Sequence, residues 1–196
     1  MNKYYVLYKP YGYLSQFTRE VPEHKVLSDL FPFDKDVYPV GRLDRDSEGL
    51  LLLSNDKQIN HRLLHPSQKH TKTYWAQVDG QVNDASLDPL RKGGLIIKAN
   101  KKNHACAPAK ASLLEPAPKV PDRNPPIRYR ANIPTSWVRL QIYEGKNRQV
   151  RKMLAAIGHP VLRLIRVGIG EVGLSGMNPG DVKELSIKEV QLLFKK

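Results

Sequence analysis

The residues best placed to do chemistry lie between Gly41 and Gly49. Arg42, Asp44, Arg45, Asp46 and Glu48 crowd a short stretch flanked by two apolar runs, Val37 to Val40 and Leu50 to Leu53. A short apolar run bounded by Gly and Asn/Asp reads as a buried strand. The charges therefore fall in a tight connection between core elements, where a rigid scaffold commonly presents catalytic groups. The carboxylates admit three roles: catalyst, calcium ligand or solvated charge. Asp44, Asp46, Glu48 and Gly49 match the first, third, fifth and sixth positions of a calcium loop. The twelfth is Asn55 rather than a bidentate Glu, and the flanks are strand-like, so calcium is disfavoured. Retaining-glycosidase chemistry needs two carboxylates about 5 Å apart, and no distant residue supplies an obvious second acid.

Three other constellations carry residue types that can do chemistry. His61 and His65 have the i, i+4 spacing of a zinc pair, but Arg62 stands where a metalloprotease has Glu, Pro66 cuts the helix short and no third ligand is in view. Gly145-Lys146-Asn147 lacks the upstream Gly and the Ser/Thr of a phosphate-binding P-loop. Lys146, Arg148, Arg151 and Lys152 gather at and just after Gly145, at the start of a predicted helix. Charge runs are usually solvated faces. Here free helix N–H groups, a glycine that allows close backbone approach and a basic chain favour phosphate or carboxylate contact.

The elements that must position these groups follow from periodicity. Lys3 to Tyr8 predicts a strand entering the turn Lys9-Pro10-Tyr11-Gly12. Val26 to Leu30 predicts one helical turn, and Asp56 to Leu64 a short helix ended by Pro66. Thr71 to Gly80 alternates as a half-buried strand, with Tyr74, Ala76 and Val78 on one face. Asn83 to Leu90 predicts a capped helix ended by Gly93-Gly94, and Leu95 to Lys98 and Ala105 to Leu114 predict strands, the second interrupted by Pro108. Residues 115–136 contain six prolines, which exclude a helix or central strand and predict a surface loop. Its Lys119, Arg123, Arg128 and Arg130 are candidate RNA contacts, with a solvated loop as the alternative. Val138, Leu140 and Ile142 alternate as a strand. Val150, Met153, Leu154 and Ile157 mark the apolar face of a helix over 147–157, with Gly158 as its C′ residue. His159 to Gly170 predicts a strand, and Ser186 with Glu189 a capping box for a helix carrying Ile187, Val190, Leu193 and Phe194. Strands outnumber helices without regular alternation. The fold class predicted is α+β: a mixed, largely antiparallel sheet flanked by helices and loops, as one domain over 1–196.

Bulk properties narrow the partner. In 196 residues, 32 Lys+Arg against 19 Asp+Glu leave a net charge of +13, which points to a polyanion such as nucleic acid. No apolar run approaches the ~20 residues of a membrane span, and the polar N-terminus does not read as a signal peptide. Cys106 is the sole cysteine, so no intrachain disulfide and no cysteine-rich metal motif can form, and a reducing cytoplasm fits.

Taken together and in order, the motifs resemble those of the pseudouridine synthases of the RsuA-like branch. Gly41-Arg42-Leu43-Asp44 with Ser47-Glu48-Gly49-Leu50 resembles the signature, and Lys9-Pro10-Tyr11-Gly12 the first motif. Lys72-Thr73-Tyr74 resembles the tyrosine motif, and Glu144 to Met153 the basic motif. Gly158-His159-Pro160-Val161, continuing to Gly170, resembles the segment that follows. Most members of this branch carry a small helical RNA-binding domain ahead of the catalytic part. Lys3 already begins the first catalytic strand, so the expectation is that this domain is absent and that the catalytic domain itself supplies RNA affinity.

The resemblance implies isomerisation of a uridine in ribosomal RNA, that of the large subunit (23S), to pseudouridine. The N-glycosidic bond breaks, the uracil turns and carbon 5 rejoins the ribose. No redox change or net group transfer occurs, so it implies no cofactor and no metal, and a monomer is the default. Asp44 takes the nucleophile's place: it bonds covalently to ribose or uracil, or pairs with a charged intermediate. Arg151 matches the basic residue that pairs with this Asp. Tyr74 matches the tyrosine that stacks on the uracil and can assist proton removal. Arg42 matches the residue that enters the stack when the base is flipped out. Lys9, Lys72, Lys146 and Arg148 become phosphate contacts that position RNA. The alternative is a non-catalytic rRNA-binding or ribosome-assembly protein of the same fold, which has no need to keep Asp44, Tyr74 and Arg151 together.

Overall fold

The structure, a computed structural model, describes residues 2–64, 70–127 and 133–194. In chain order the elements are β1 (Tyr4–Lys9), β2 (Tyr38–Pro39), β3 (Glu48–Ser54), α1 (Lys57–Leu64), β4 (Lys72–Asp79), α2 (Asp88–Lys92), β5 (Ile96–Ala99), β6 (Lys102–Ala105), β7 (Lys110–Leu113), β8 (Thr135–Ile142), α3 (Gln149–Ala156), β9 (Val161–Ile169), β10 (Val172–Gly173), β11 (Val182–Glu184) and α4 (Ile187–Leu192). Short 3-10 turns span Leu27–Asp29 and Asp84–Leu87. The chain divides into two compact units, Met1–Thr71 with Ile165–Lys196, and Lys72–Leu164.

In the first unit β3 pairs antiparallel with β1 and, through Glu48↔Ile165 and Gly49↔Arg166, parallel with β9. Separate apolar clusters cover the two faces of β3, which explains the unbroken run Leu50 to Leu53. All four leucines are fully buried, each contributing about 1.5–3 kcal/mol by leaving water. Leu50 and Leu52 pack with Tyr4, Val6 and Ile59. Leu51 and Leu53 pack on the other face with Tyr5, Leu7 and Leu27. β11 extends the sheet beyond β1, and β2 and β10 pair with β3 and β9, all antiparallel. The capping box of α4 forms as expected: the Ser186 hydroxyl accepts from the Glu189 N–H, and Glu189 accepts from the Ser186 N–H. Val190 and Leu193 are buried, but Ile187 is 63% exposed, because the first turn of α4 faces outward.

In the second unit β8 pairs antiparallel with β4 on one side and β7 on the other. Tyr74, Ala76 and Val78 face a core shared with Leu87, Leu90, Val138, Leu140, Val150, Met153 and Leu154. The predicted helix over 83–90 is two pieces: Asn83 caps a 3-10 turn by accepting from the Ser86 N–H, and α2 begins at Asp88. The interruption expected at Pro108 is present: β6 ends at Ala105 and β7 begins at Lys110. Asn100 and Lys101 both take positive φ (48° and 65°), the conformation of a tight hairpin turn, so Lys102 to Ala105 fold back antiparallel on β5. The proline-rich segment carries no helix or strand in its described residues after Leu113 and before Thr135, and joins two neighbouring antiparallel strands. Buried Arg163 donates to the Pro121 carbonyl (2.8 Å), and Arg123 donates to Pro125 and Pro126 of its own loop. His65, Pro66, Arg128 and Arg130 lie outside the described residues.

Candidate active site

Asp44 sits half-exposed in the connection from β2 to β3. Two clamps hold its neighbours. The buried Ser15 hydroxyl donates to the Leu43 carbonyl (2.8 Å) and accepts from the Leu43 N–H (3.0 Å), fixing the residue before Asp44. Gly12 donates its N–H to the Arg45 carbonyl (2.8 Å), and Arg45 Nε donates back to the Gly12 carbonyl (3.3 Å), fixing the residue after it. The Ser47 N–H closes the turn onto the Asp44 carbonyl (3.0 Å). Arg42 is exposed beside this loop, while Ser47 and Glu48 are buried.

The Lys9-Pro10-Tyr11-Gly12 turn is what carries the second clamp. Lys9, expected as a phosphate contact, is placed otherwise: its side chain is fully buried, and Nζ donates to the carbonyls of Tyr13 (2.7 Å) and Pro10 (3.0 Å). The ammonium thus shapes the loop rather than meeting a ligand. Burial pushes the Lys9 ammonium down to about 7, against the opposing pull of Glu48, Asp46 and Asp44 and with repulsion from Arg166. Arg166 was missed in the sequence, where it read as one more strand residue. It is buried in β9, and its Nε donates to the Leu50 carbonyl (2.8 Å). Charged residues three apart in an apolar strand, Arg163 and Arg166, were the available signal.

Gly49 shows why the loop must end on glycine. Its φ is +104°, and a Cβ there would stand 2.3 Å from the Arg166 carbonyl oxygen. The close parallel register of β3 and β9 thus excludes any side chain at this position.

The remaining expected residues belong to the second unit. Tyr74 lies in β4 and is 9% exposed. Lys72, at the start of β4, reaches across the sheet so that Nζ donates to the Tyr143 carbonyl (3.2 Å). Arg151 is half-buried on α3, with Nη1 donating to the Val161 carbonyl (3.2 Å). Lys146 and Arg148 are exposed on the turn before α3. The left-handed residue of that turn is Arg148 (φ +51°), the residue preceding the helix, whereas Gly145 lies in open space without positive φ. Buried Gln149 organises the turn: its Oε1 accepts from the Lys146 N–H (3.0 Å), and its Nε2 donates to Glu144 (2.7 Å). Glu144 also accepts from the Ala107 N–H and contacts His104. Burial would raise the Glu144 carboxyl, but the donors Ala107, Gln149 and His104 outweigh it and hold it below the usual range.

The structure therefore gathers Lys9, Asp44, Asp46, Glu48 and Arg166 in one unit, and Lys146 and Arg148 on one turn of the other. Among the described residues no helix is long and apolar enough to cross a membrane.

Comparison with known proteins bears on the same residues. A family model described as "RNA pseudouridylate synthase" matches residues 3–156. The chain is 47% identical to "Ribosomal large subunit pseudouridine synthase E" of Vibrio parahaemolyticus, over 95% of this chain and 75% of that protein. It is 47% identical to the protein of the same name from Xanthomonas axonopodis pv. citri, over 89% of each. It is 39% identical to "Ribosomal large subunit pseudouridine synthase B" of Bacillus subtilis, over 97% and 70%. A solved structure titled "Crystal structure of pseudouridylate synthase" superposes with a TM-score of 0.78 at 26% identity, covering 98% of this chain and 74% of that one.

Proposed function

The chain belongs to the RNA pseudouridylate synthase family, and on that premise we propose that it converts a uridine of large-subunit ribosomal RNA to pseudouridine with Asp44 as the nucleophile. The enzyme isomerises uridine without a redox step: the bond from ribose C1′ to uracil N1 breaks, C1′ bonds to C5, the C5 proton leaves and N1 gains one. Asp44 holds the intermediate through that exchange, bonded to ribose or uracil or paired with its charge, while the detached uracil turns. One observation carries this assignment: Asp44 is half-exposed on a loop clamped at Leu43 and Arg45, which supports a carboxylate held in a fixed orientation for a reacting base.

In this reading Arg151 pairs with Asp44, Tyr74 stacks on the uracil and assists proton removal, and Arg42 fills the gap left by the flipped base. Flipping costs a few kcal/mol, least at a loop or weak pair. The exposure of Arg42, Lys146 and Arg148 supports phosphate and stack contacts there, with Lys72 beside them in role. Residues 1–196 act as one catalytic domain and as a monomer, in the cytoplasm where ribosomal RNA is found. The relatives' shared naming for the large subunit supports that choice of RNA.

The test is Asp44→Asn, which keeps shape and removes the nucleophile. The variant should fold, bind ribosomal RNA as the parent does and form no pseudouridine. Appreciable turnover by the pure variant would overturn the assignment.

A further inference from the structure

His104, Cys106 and Glu144 form a cluster that the isomerisation does not use. Among the described residues they are the group whose ligand atoms converge: His104 nitrogen, Cys106 Sγ and a Glu144 oxygen all lie within 4.8 Å of one another. His104 comes from β6 and Cys106 from the residue just after it, while Glu144 comes from the turn after β8. All three belong to the second unit.

We propose that His104, Cys106 and Glu144 bind a zinc ion that ties the β5–β6 hairpin to the turn bearing Lys146 and Arg148. Imidazole, thiolate and carboxylate are the three ligand types zinc takes, at about 2.0–2.1, 2.3 and 2.0–2.2 Å, with a fourth position for water. Tetrahedral ligands at those lengths stand about 3.2–3.7 Å apart, so side-chain rotation of about an ångström closes the set. The carboxylate is already oriented for the task. Glu144 Oε2 accepts from Gln149 Nε2 (2.7 Å) and the Ala107 N–H (3.0 Å), while Oε1 meets His104 Nε2 (2.8 Å). A metal replaces the His104 contact, leaving the two outer hydrogen bonds as the support that ligating carboxylates need. Cys106 is buried, whereas the His104 and Glu144 side chains are 24% and 21% exposed, which gives an ion an entry path and a water for its fourth position. On binding, the thiol proton goes to solvent, and the His104 proton resides on Nδ1.

The sequence pointed to no metal at these residues, because Cys106 is the sole cysteine and the one zinc-type spacing, His61 with His65, lies elsewhere and has no third ligand. The hairpin at Asn100-Lys101 and the pairing of β8 bring the ligands together from 40 residues apart.

The test uses the full chain, reduced and stripped of metal by chelation, titrated with Co²⁺ and then Zn²⁺. One equivalent of cobalt should produce a sulfur-to-cobalt charge-transfer band with tetrahedral visible bands, and zinc should abolish both stoichiometrically. Gln149→Ala, which leaves all three ligands in place but removes the outer hydrogen bond to Glu144 along with the one from the Lys146 N–H, should weaken zinc binding about 10–100-fold. Cys106→Ser should lose the charge-transfer band and weaken zinc further. Circular dichroism checks the fold, and His104→Gln replaces Cys106→Ser if the serine variant does not fold. Absence of the charge-transfer band in the folded parent, or zinc bound as tightly by the ligand variant as by the parent, overturns the proposal.

Discussion

At the scale of single residues, the most informative side chain is Lys9, because its motif invites an electrostatic role and its burial gives it an architectural one. Two carbonyls anchor its ammonium, and the turn so formed holds Arg45 next to Asp44. Its pKa lies near 7 in the fold against an ordinary 10.5. Between those values the unfolded chain holds a proton that the folded chain has released. Folding stability should therefore rise with pH from about 7 toward 10.5, by at most about 1.4 kcal/mol per pH unit from this group. Lys9→Met removes the titration. Denaturant unfolding of parent and variant at several pH values should show the parent gaining on the variant as pH rises from 7 to 9; a constant gap would refute the assignment. The lysine was legible in the sequence as part of a motif, but its direction was not. A strand residue next to a turn can face either way until the neighbouring carbonyls are placed.

Among the elements, β3 sets the geometry of the carboxylate loop. Its leucines anchor it between β1 and β9, and its first residues lie so near β9 that Gly49 has no room for a Cβ. Gly49→Ala should cost about 2–5 kcal/mol, the sum of about 1–2 for positive φ and about 1–3 for overpacking. Gly12→Ala is the control: φ is +84° there as well, but nothing lies within 4 Å of the added atom, so only the backbone part of about 1–2 kcal/mol applies. Equal urea midpoints for the two variants would contradict the packing explanation. Strand identities were readable because burial on both faces leaves an unbroken apolar run. The β5–β6 hairpin was not, because Lys101 in a left-handed conformation carries no turn signature.

For the whole molecule, charge decides how it meets RNA. The excess of 32 basic over 19 acidic side chains favours any phosphate backbone, but burial removes Lys9 from the set that can touch one. If Lys72, Lys146 and Arg148 make the phosphate contacts proposed above, RNA binding should weaken about 20–40-fold between 50 and 200 mM salt. Filter-binding or anisotropy titrations across that range measure the slope, and a flat response would count against these contacts.

The sequence by itself determined strands β1, β3, β4, β8 and β9, the apolar face of α3, the capping of α4 and the motifs that mark the family with Asp44 among them. These are properties of residue type and local spacing, since a strand repeats every two residues and a helix about every 3.6. Only the tertiary structure decided that Lys9 turns inward, that Arg148 rather than Gly145 takes the left-handed backbone, that Arg166 is buried against Leu50, and that His104, Cys106 and Glu144 converge. Each depends on which distant backbone or side chain fills the space beside it. A polar group buried without a partner is costly, so its partner is chosen by packing across the chain, and local sequence spacing does not record that choice.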